Sequence, residues 1–196
     1  MLHSYLLVSI LALSPLSPLL EKMKNTVFMT GSFTQTDSWA LTLEEETSSG
    51  TMYIAQPDLF LLSYSEPEGS ATGYDGSVLY TLEPDLQQVL LYPSREPGSF
   101  LHLIEKCADS TVTETIQYSG DSISVELEGD FGDGINRMEV GFTLSDSLPF
   151  LFSTTDYNGN RTAYEMWDVT AGDSYPEDVF QLVIPDGYTV VNPEEM

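Results

Sequence analysis

The chain carries one cysteine, Cys107, and two histidines, His3 and His102, in 196 residues. A single cysteine excludes an internal disulfide. With so few nitrogen and sulfur ligands a zinc site of the usual kind cannot be assembled, and no metal is expected. A Ser-His-Asp triad would depend on His102, and nothing around it reads as a nucleophile elbow. Cations are scarce too: Lys plus Arg number 6 against 31 Asp plus Glu, a formal charge of −25. A field of that sign repels phosphate backbones and anionic headgroups, so no nucleic-acid partner is expected.

Long apolar runs are also missing. The N-terminal sequence "MLHSYLLVSILALSPLSPLL" holds an apolar stretch, Tyr5 to Leu13, that is too short to span a bilayer. It reads as the core of a secretory signal, with Ala12-Leu13-Ser14 as a cleavage candidate. The segment before it lacks Lys and Arg, and Pro15 and Pro18 blur the cut site. The other reading is an apolar start to the first helix. No cysteine follows the stretch, so a lipid-anchored product is not expected. Residues 1–18 are expected to be a signal peptide, and 19–196 one exported, soluble domain.

What is present is alternation. Apolar residues make up 41% of the chain, enough for a real core. One helical segment comes first, "PLLEKMKNTVFM", with Leu19, Leu20, Met23 and Val27 on one side and Gly31 as its end. The period then becomes two. Trp39, Leu41 and Leu43 alternate in "SWALTLE". Met52, Ile54 and Gln56 share one strand face, and Phe60, Leu62 and Tyr64 share the next. Val78, Tyr80 and Leu82 alternate, as do Val89 and Leu91. A second helix is expected at "FLHLIEKC", behind Pro97-Gly98 with Ser99 as its cap. Strands with one wet and one dry face follow at Ile123–Leu127, Met138–Leu144 and Phe180–Ile184. The pairs Asp75-Gly76, Asp133-Gly134, Asn158-Gly159 and Asp186-Gly187 favour tight hairpin turns. These signals give about eleven strands in one curled antiparallel sheet, with two short helices over its apolar face.

Motifs that suggest chemistry dissolve on inspection. "EGDFGDGINR" and "DYNGNR" lack the calcium-loop pattern, and Gly141 or Trp167 stands where its bidentate Glu is needed. Hairpin turns explain both. "DFG" at 130–132 has no kinase context. Paired carboxylates could hydrolyse glycosides, but no pair stands out among 31 acids. Cys107 reads as a small buried side chain. The apolar face remains, either as a filled core or as a cavity wall. Methionines at 23, 29, 52 and 138 favour the cavity, because Met adapts to varied ligands.

The ordered set of segments "FMTGSFTQ", "GTMYIAQPDLFLLSY", "GYDGSVLYTLEPDLQQV", "GSFLHLIE", "DYNGNRTAYEM" and "VFQLVIPDGYTVV" resembles the LolA family, periplasmic carriers of outer-membrane lipoproteins, over residues 19–192. The resemblance implies an unclosed antiparallel β-barrel of about eleven strands with a helical lid over an apolar cavity. It implies a carrier and not an enzyme, in the periplasm, monomeric and without cofactor. Its cargo would be the acyl chains of lipoproteins. Its partners would be an inner-membrane lipoprotein-releasing ABC transporter and an outer-membrane acceptor. Phe60 takes the place of the hinge Phe that faces the cavity, Leu62 that of a cavity position often aromatic, and Met23 falls near a lid leucine. The cavity is expected to include Met23, Val27, Phe33, Met52, Ile54, Phe60, Leu62, Val78, Tyr80, Val89, Leu91, Leu101 and Ile104. Gln56 replaces the family Arg that hydrogen-bonds the lid. Gln offers two donors and no charge where Arg offers five, so the lid should open more easily. A second hypothesis is a sensory module of the same half-barrel that binds an acyl chain as a signal. A third, weaker one is a β-rich hydrolase, for which no catalytic constellation is found.

Overall fold

The computed structural model describes residues 16–93 and 113–195. Helix α1, Leu16–Lys24, opens the described chain. Strands follow as β1 Phe28–Trp39, β2 Glu44–Ala55, β3 Leu59–Glu66, β4 Ala71–Tyr74, β5 Leu79–Glu83 and β6 Gln88–Tyr92. Then come β7 Thr113–Ser119, β8 Ser122–Gly132, β9 Ile135–Thr143, β10 Pro149–Asp156, β11 Arg161–Gly172 and β12 Thr189–Val191. All twelve form one sheet in the order β12-β6-β5-β4-β3-β2-β1-β11-β10-β9-β8-β7. Its two ends, β12 and β7, do not pair, so the barrel is unclosed. The fold is mainly β and antiparallel, except that β12 runs parallel to β6.

The centre is β1. It pairs with β2 across a local hairpin and with β11 across the length of the domain. A register shift between Thr30 and Ser32 bulges β1 against β11. Gly31 sits at that bulge, where an added Cβ would lie 2.9 Å from Val169 Cγ2. Gly31 therefore serves close strand approach and does not end the helix. The helix stops at Lys24 instead. Asn25 Nδ2 donates to the Glu21 carbonyl (2.8 Å) and Thr26 Oγ1 to the Lys22 carbonyl (3.0 Å), satisfying carbonyls of the last turn. Lys22 and Lys24 in that turn suit the negative end of the helix dipole.

Leu16, Leu19, Leu20 and Met23 recur at helix spacing and are buried. They pack on the inner face of the sheet with Ile123, Val125 and Leu127 of β8, Met138, Val140 and Phe142 of β9, and Phe33 of β1. Lys22 Nζ ties α1 to the β9–β10 turn through the Asp146 carbonyl. One nine-residue helix thus covers the β8–β10 part of the face. It is the only α-helix among the described residues. The second expected helix lies outside them, with Ser99, Leu101, His102, Ile104 and Cys107, and so does the expected signal up to Pro15.

Three expected elements differ. "SWALTLE" is not one strand: β1 ends at Trp39, Leu43 turns the chain with φ 58°, and its N–H donates to the Trp39 carbonyl (2.8 Å). Leu41 and Leu43 are 94% and 86% exposed on that turn. Residues 180–184 form no strand. Phe180 is buried on the outer face, its ring 6.4 Å from Phe28 and 5.2 Å from Tyr175, while Val183 and Ile184 face solvent. Anchoring a single aromatic lets the chain run irregularly between Pro176 and Pro185 and then join β6 as β12. Asp186-Gly187 accordingly turns into a parallel strand and makes no hairpin. Asp133-Gly134, by contrast, takes positive φ at both residues (49° and 79°) and joins β8 to β9.

Gly50 has the tightest surroundings. A Cβ there would lie 2.1 Å from the Ser63 carbonyl oxygen, beside a register shift between β2 and β3. We expect Gly50→Ala to lower stability by about 1–3 kcal/mol, seen as a fall in urea midpoint. An unchanged midpoint would mean the two strands are not held this closely.

Candidate functional site: an apolar cavity on the inner face

Beyond the area covered by α1, the inner face encloses a cavity of about 390 Å³. That lies within the ordinary range for small-ligand sites. Its walls come from eight of the strands: Phe33; Met52 and Ile54; Phe60 and Leu62; Thr72; Leu79; Ile135; Phe152 and Thr154; Thr162, Tyr164 and Met166. Ladder register explains the convergence. Met52 pairs with Leu62, Ile54 with Phe60, Phe33 with Met166, and Phe152 with Tyr164. Paired residues share a face, so the apolar set of each strand meets its neighbours'. Among the described residues, none that lines the cavity is charged.

One end of the cavity is polar. Tyr64 OH donates to Gln35 Oε1 (2.6 Å), and Gln35 Nε2 donates to Asp37 Oδ2 (2.6 Å). Thr162 Oγ1 donates to Asp37 Oδ1 (2.5 Å). Gln35 and Asp37 lie on the inner face of β1, opposite the lining residues Tyr164 and Thr162. Rings brace this end: Tyr64 meets Phe33 edge-on at 5.3 Å, and Tyr164 stacks on Phe152 at 6.3 Å. Burial, and then the Asp37 charge, push the Tyr64 phenol up to about 12. Tyr164 is raised still further, first by burial and then by Tyr64 and Asp37. Tyr80, on the outer face, rises to about 12 mainly through burial.

Of the residues picked from sequence, Phe33, Met52, Ile54, Phe60 and Leu62 meet on the cavity wall. Met23, on the sheet-facing side of α1, is buried in the core that adjoins the cavity. Val27 is 41% exposed on the link after α1 and is no part of the wall. Tyr80, Val89 and Leu91 fall on the outer face, because Leu79 and Leu90 share the register of Tyr74 and Thr72. Val78 precedes β5 and does not line the cavity. Leu101 and Ile104 lie outside the described residues. Gln56 follows β2, and its N–H donates to the Val27 carbonyl (3.1 Å), so it touches the link between α1 and β1 through backbone. No hydrogen bond joins its side chain to a described residue.

Sequence reasoning missed Thr72, Leu79, Ile135, Phe152, Thr154, Thr162, Tyr164 and Met166. The period-two alternation in "RTAYEM" was available as a signal for the last three. That β11 returns to pair with β1 was not. Among the described residues no group of three His, Cys, Asp or Glu could hold a metal, and no helix is long and apolar enough to cross a membrane.

A half-open β-barrel around an uncharged apolar pocket is the class of structure these features define. The family model "Outer membrane lipoprotein carrier protein LolA" matches residues 24–183, and the chain belongs to that family. No curated protein matches it in sequence. A conserved, uncharacterized protein from Thermus thermophilus has a similar structure (TM-score 0.58, 15% identity, covering 90% of this chain and 96% of that one). A proposed outer membrane lipoprotein-sorting protein domain from Vibrio parahaemolyticus gives TM-score 0.49 at 12% identity, covering 84% and 94% of the two chains. A LolA superfamily protein from Nitrosomonas europaea gives 0.43 at 12% identity, covering 85% and 97%.

The raised phenols set an alkaline limit. Unfolded tyrosines ionise near 10.0, whereas Tyr64 and Tyr80 in the fold do so near 12. Their contribution to stability is present below pH 10 and is lost as pH rises to 12. We expect Tyr64→Phe to make that alkaline decline shallower and to cost about 1 kcal/mol at neutral pH through the lost bond to Gln35. Denaturant midpoints across the pH range measure both. An unaltered alkaline slope would put the Tyr64 phenol in water.

Proposed function

We propose that this protein is a periplasmic carrier that holds the acyl chains of lipoproteins in the inner-face cavity and moves them from inner to outer membrane. It would take its cargo from an inner-membrane lipoprotein-releasing ABC transporter and pass it to an outer-membrane acceptor. It performs no catalysis and needs no cofactor. The observation that carries this reading is an uncharged apolar cavity of about 390 Å³, walled by strands inside the span that matches the LolA family.

The energetics of an acyl anchor fit such a site. Each buried CH₂ gains about 0.8 kcal/mol, so a diacyl or triacyl anchor in water is very unfavourable. A carrier must shield the chains and still release them. No α1 residue lines the cavity, so α1 is not the expected lid over it; Leu19, Leu20 and Met23 fill the inner face beside it. Seating more chain than the cavity holds requires α1 to lift. Exposing those side chains offsets part of the binding energy and keeps transfer reversible. Gln56 holds the link after α1 only through backbone, and the Lys22 ammonium, bonded to the Asp146 carbonyl, is the charged tie that this motion must break. The −25 charge keeps the loaded carrier soluble and away from anionic bilayers.

Two outcomes are expected. Phe60→Glu should abolish binding of a fluorescent triacylated lipopeptide while leaving the circular dichroism spectrum and thermal transition nearly intact, because it places a charge in the apolar wall. Normal binding by that variant would show that the chains sit elsewhere. Lipopeptide binding should also speed hydrogen exchange in residues 16–24, and the unacylated twin should not. Slower exchange there on loading would mean that α1 closes over the ligand and is not displaced by it.

A further inference from the structure

The polar end of the cavity constrains what head its ligand can carry. Resting on the acyl-holding reading above, we propose that this end is an acceptor site that selects amphiphiles with a neutral or cationic, hydrogen-bond-donating head, such as a hydroxyl, amide N–H or ammonium. It rejects carboxylate and phosphate heads.

The charge next to the wall is Asp37, one hydrogen bond behind the lining hydroxyl of Thr162. Glu46 stands directly opposite Asp37 on the neighbouring strand, so a second carboxylate reinforces the first. Another acceptor lies close by. On β9, next to the lining residue Ile135, Asn136 Oδ1 is buried and makes no hydrogen bond. A buried, unsatisfied acceptor is costly unless a donor reaches it.

Among the described residues, no cation offsets these groups in the cavity. Of the cations near this end, Arg161 is paired with Glu139 (3.5 Å) and Arg137 with Glu128 (2.9 Å). Both are turned to the outer face by ladder register, since they alternate with the inner-face residues Thr162 and Met138. Of the donors at this end, Thr162 Oγ1 and Gln35 Nε2 are directed at Asp37, and Tyr64 OH at Gln35. The lining hydroxyls of Thr72, Thr154 and Tyr164 serve donors and acceptors alike, so the Asp37 and Glu46 charges decide, and an anionic head meets a negative field. An alcohol or amine would find acceptors waiting.

The test uses three ligands with the same alkyl chain: dodecanol, dodecylamine and dodecanoate, each below its critical micelle concentration. Binding to the full chain is measured by calorimetry at neutral pH. We expect the alcohol and the amine to bind about tenfold or more tighter than the carboxylate. The gap should persist in 1 M salt, where the Debye length is about 3 Å and the general field of the acidic surface is screened. Asp37→Asn should narrow the difference between amine and carboxylate. Thr162→Val, which keeps Asp37 and frees it from one donor, should not narrow it. Equal binding of all three, or a gap that vanishes in salt, would overturn the head preference while leaving the cavity as an acyl site. Failure of all three to bind would overturn the acyl-holding reading itself.

Discussion

The pairing of β1 with β11 is the constraint on which the rest of this molecule depends. It joins two halves of the sheet that are each built from local hairpins, β2 to β6 on one side and β7 to β10 on the other. Through it, Phe33 comes to lie between Gly50 and Met166, and Gln35 comes to face Tyr164. Without it there are two small apolar faces, each wet. With it there is one continuous inner face, whose area exceeds what a nine-residue helix can cover. The cavity is the part that α1 does not cover.

That same junction concentrates the polar groups. Gln35 and Asp37 continue the inner-face parity of Phe33 along β1, so the strand that supplies the centre of the apolar wall also supplies its polar end. The network from Tyr64 through Gln35 and Asp37 to Thr162 crosses from β3 to β1 to β11. It satisfies groups that would otherwise be stranded beside an apolar space, where an unpaired polar atom is costly. Binding and strand pairing are therefore served by the same side chains. Cross-strand rings do similar double service, since Phe33, Tyr64, Phe152 and Tyr164 both brace the strands and form the wall.

Membership of the LolA family and the geometry of the cavity point the same way, although they rest on different observations. The family match comes from the ordered sequence. The cavity comes from which residues the ladders place together. The departures from expectation concern the covering as well as the strands expected at "SWALTLE" and at residues 180–184. One short helix lies on the inner face among the described residues, and the chain after β11 packs Phe180 and Tyr175 against Phe28 on the outer face.

The sequence by itself determined several of the strands and part of the wall. Alternation was decisive where one face is dry and the other wet, as in Ile123-Val125-Leu127 and in Met52-Ile54 against Phe60-Leu62, because burial on one side alone writes a period of two into the residues. It was illegible where both faces are covered. In β5 and β6 the runs "VLYTL" and "VLLY" carry apolar residues on both faces, so Tyr80, Val89 and Leu91 looked as inward as Leu79 and Leu90, and only the ladder register separated them. "SWALTLE" failed for the opposite reason: its alternation is real, but Leu41 and Leu43 stand in solvent on a turn. Periodicity records which side chains are apolar and says nothing of what meets them. The return of β11 to β1, the parallel seat of β12 and the polar end at Asp37 were decided by tertiary structure alone. They depend on contacts between residues more than a hundred positions apart, which no local pattern encodes.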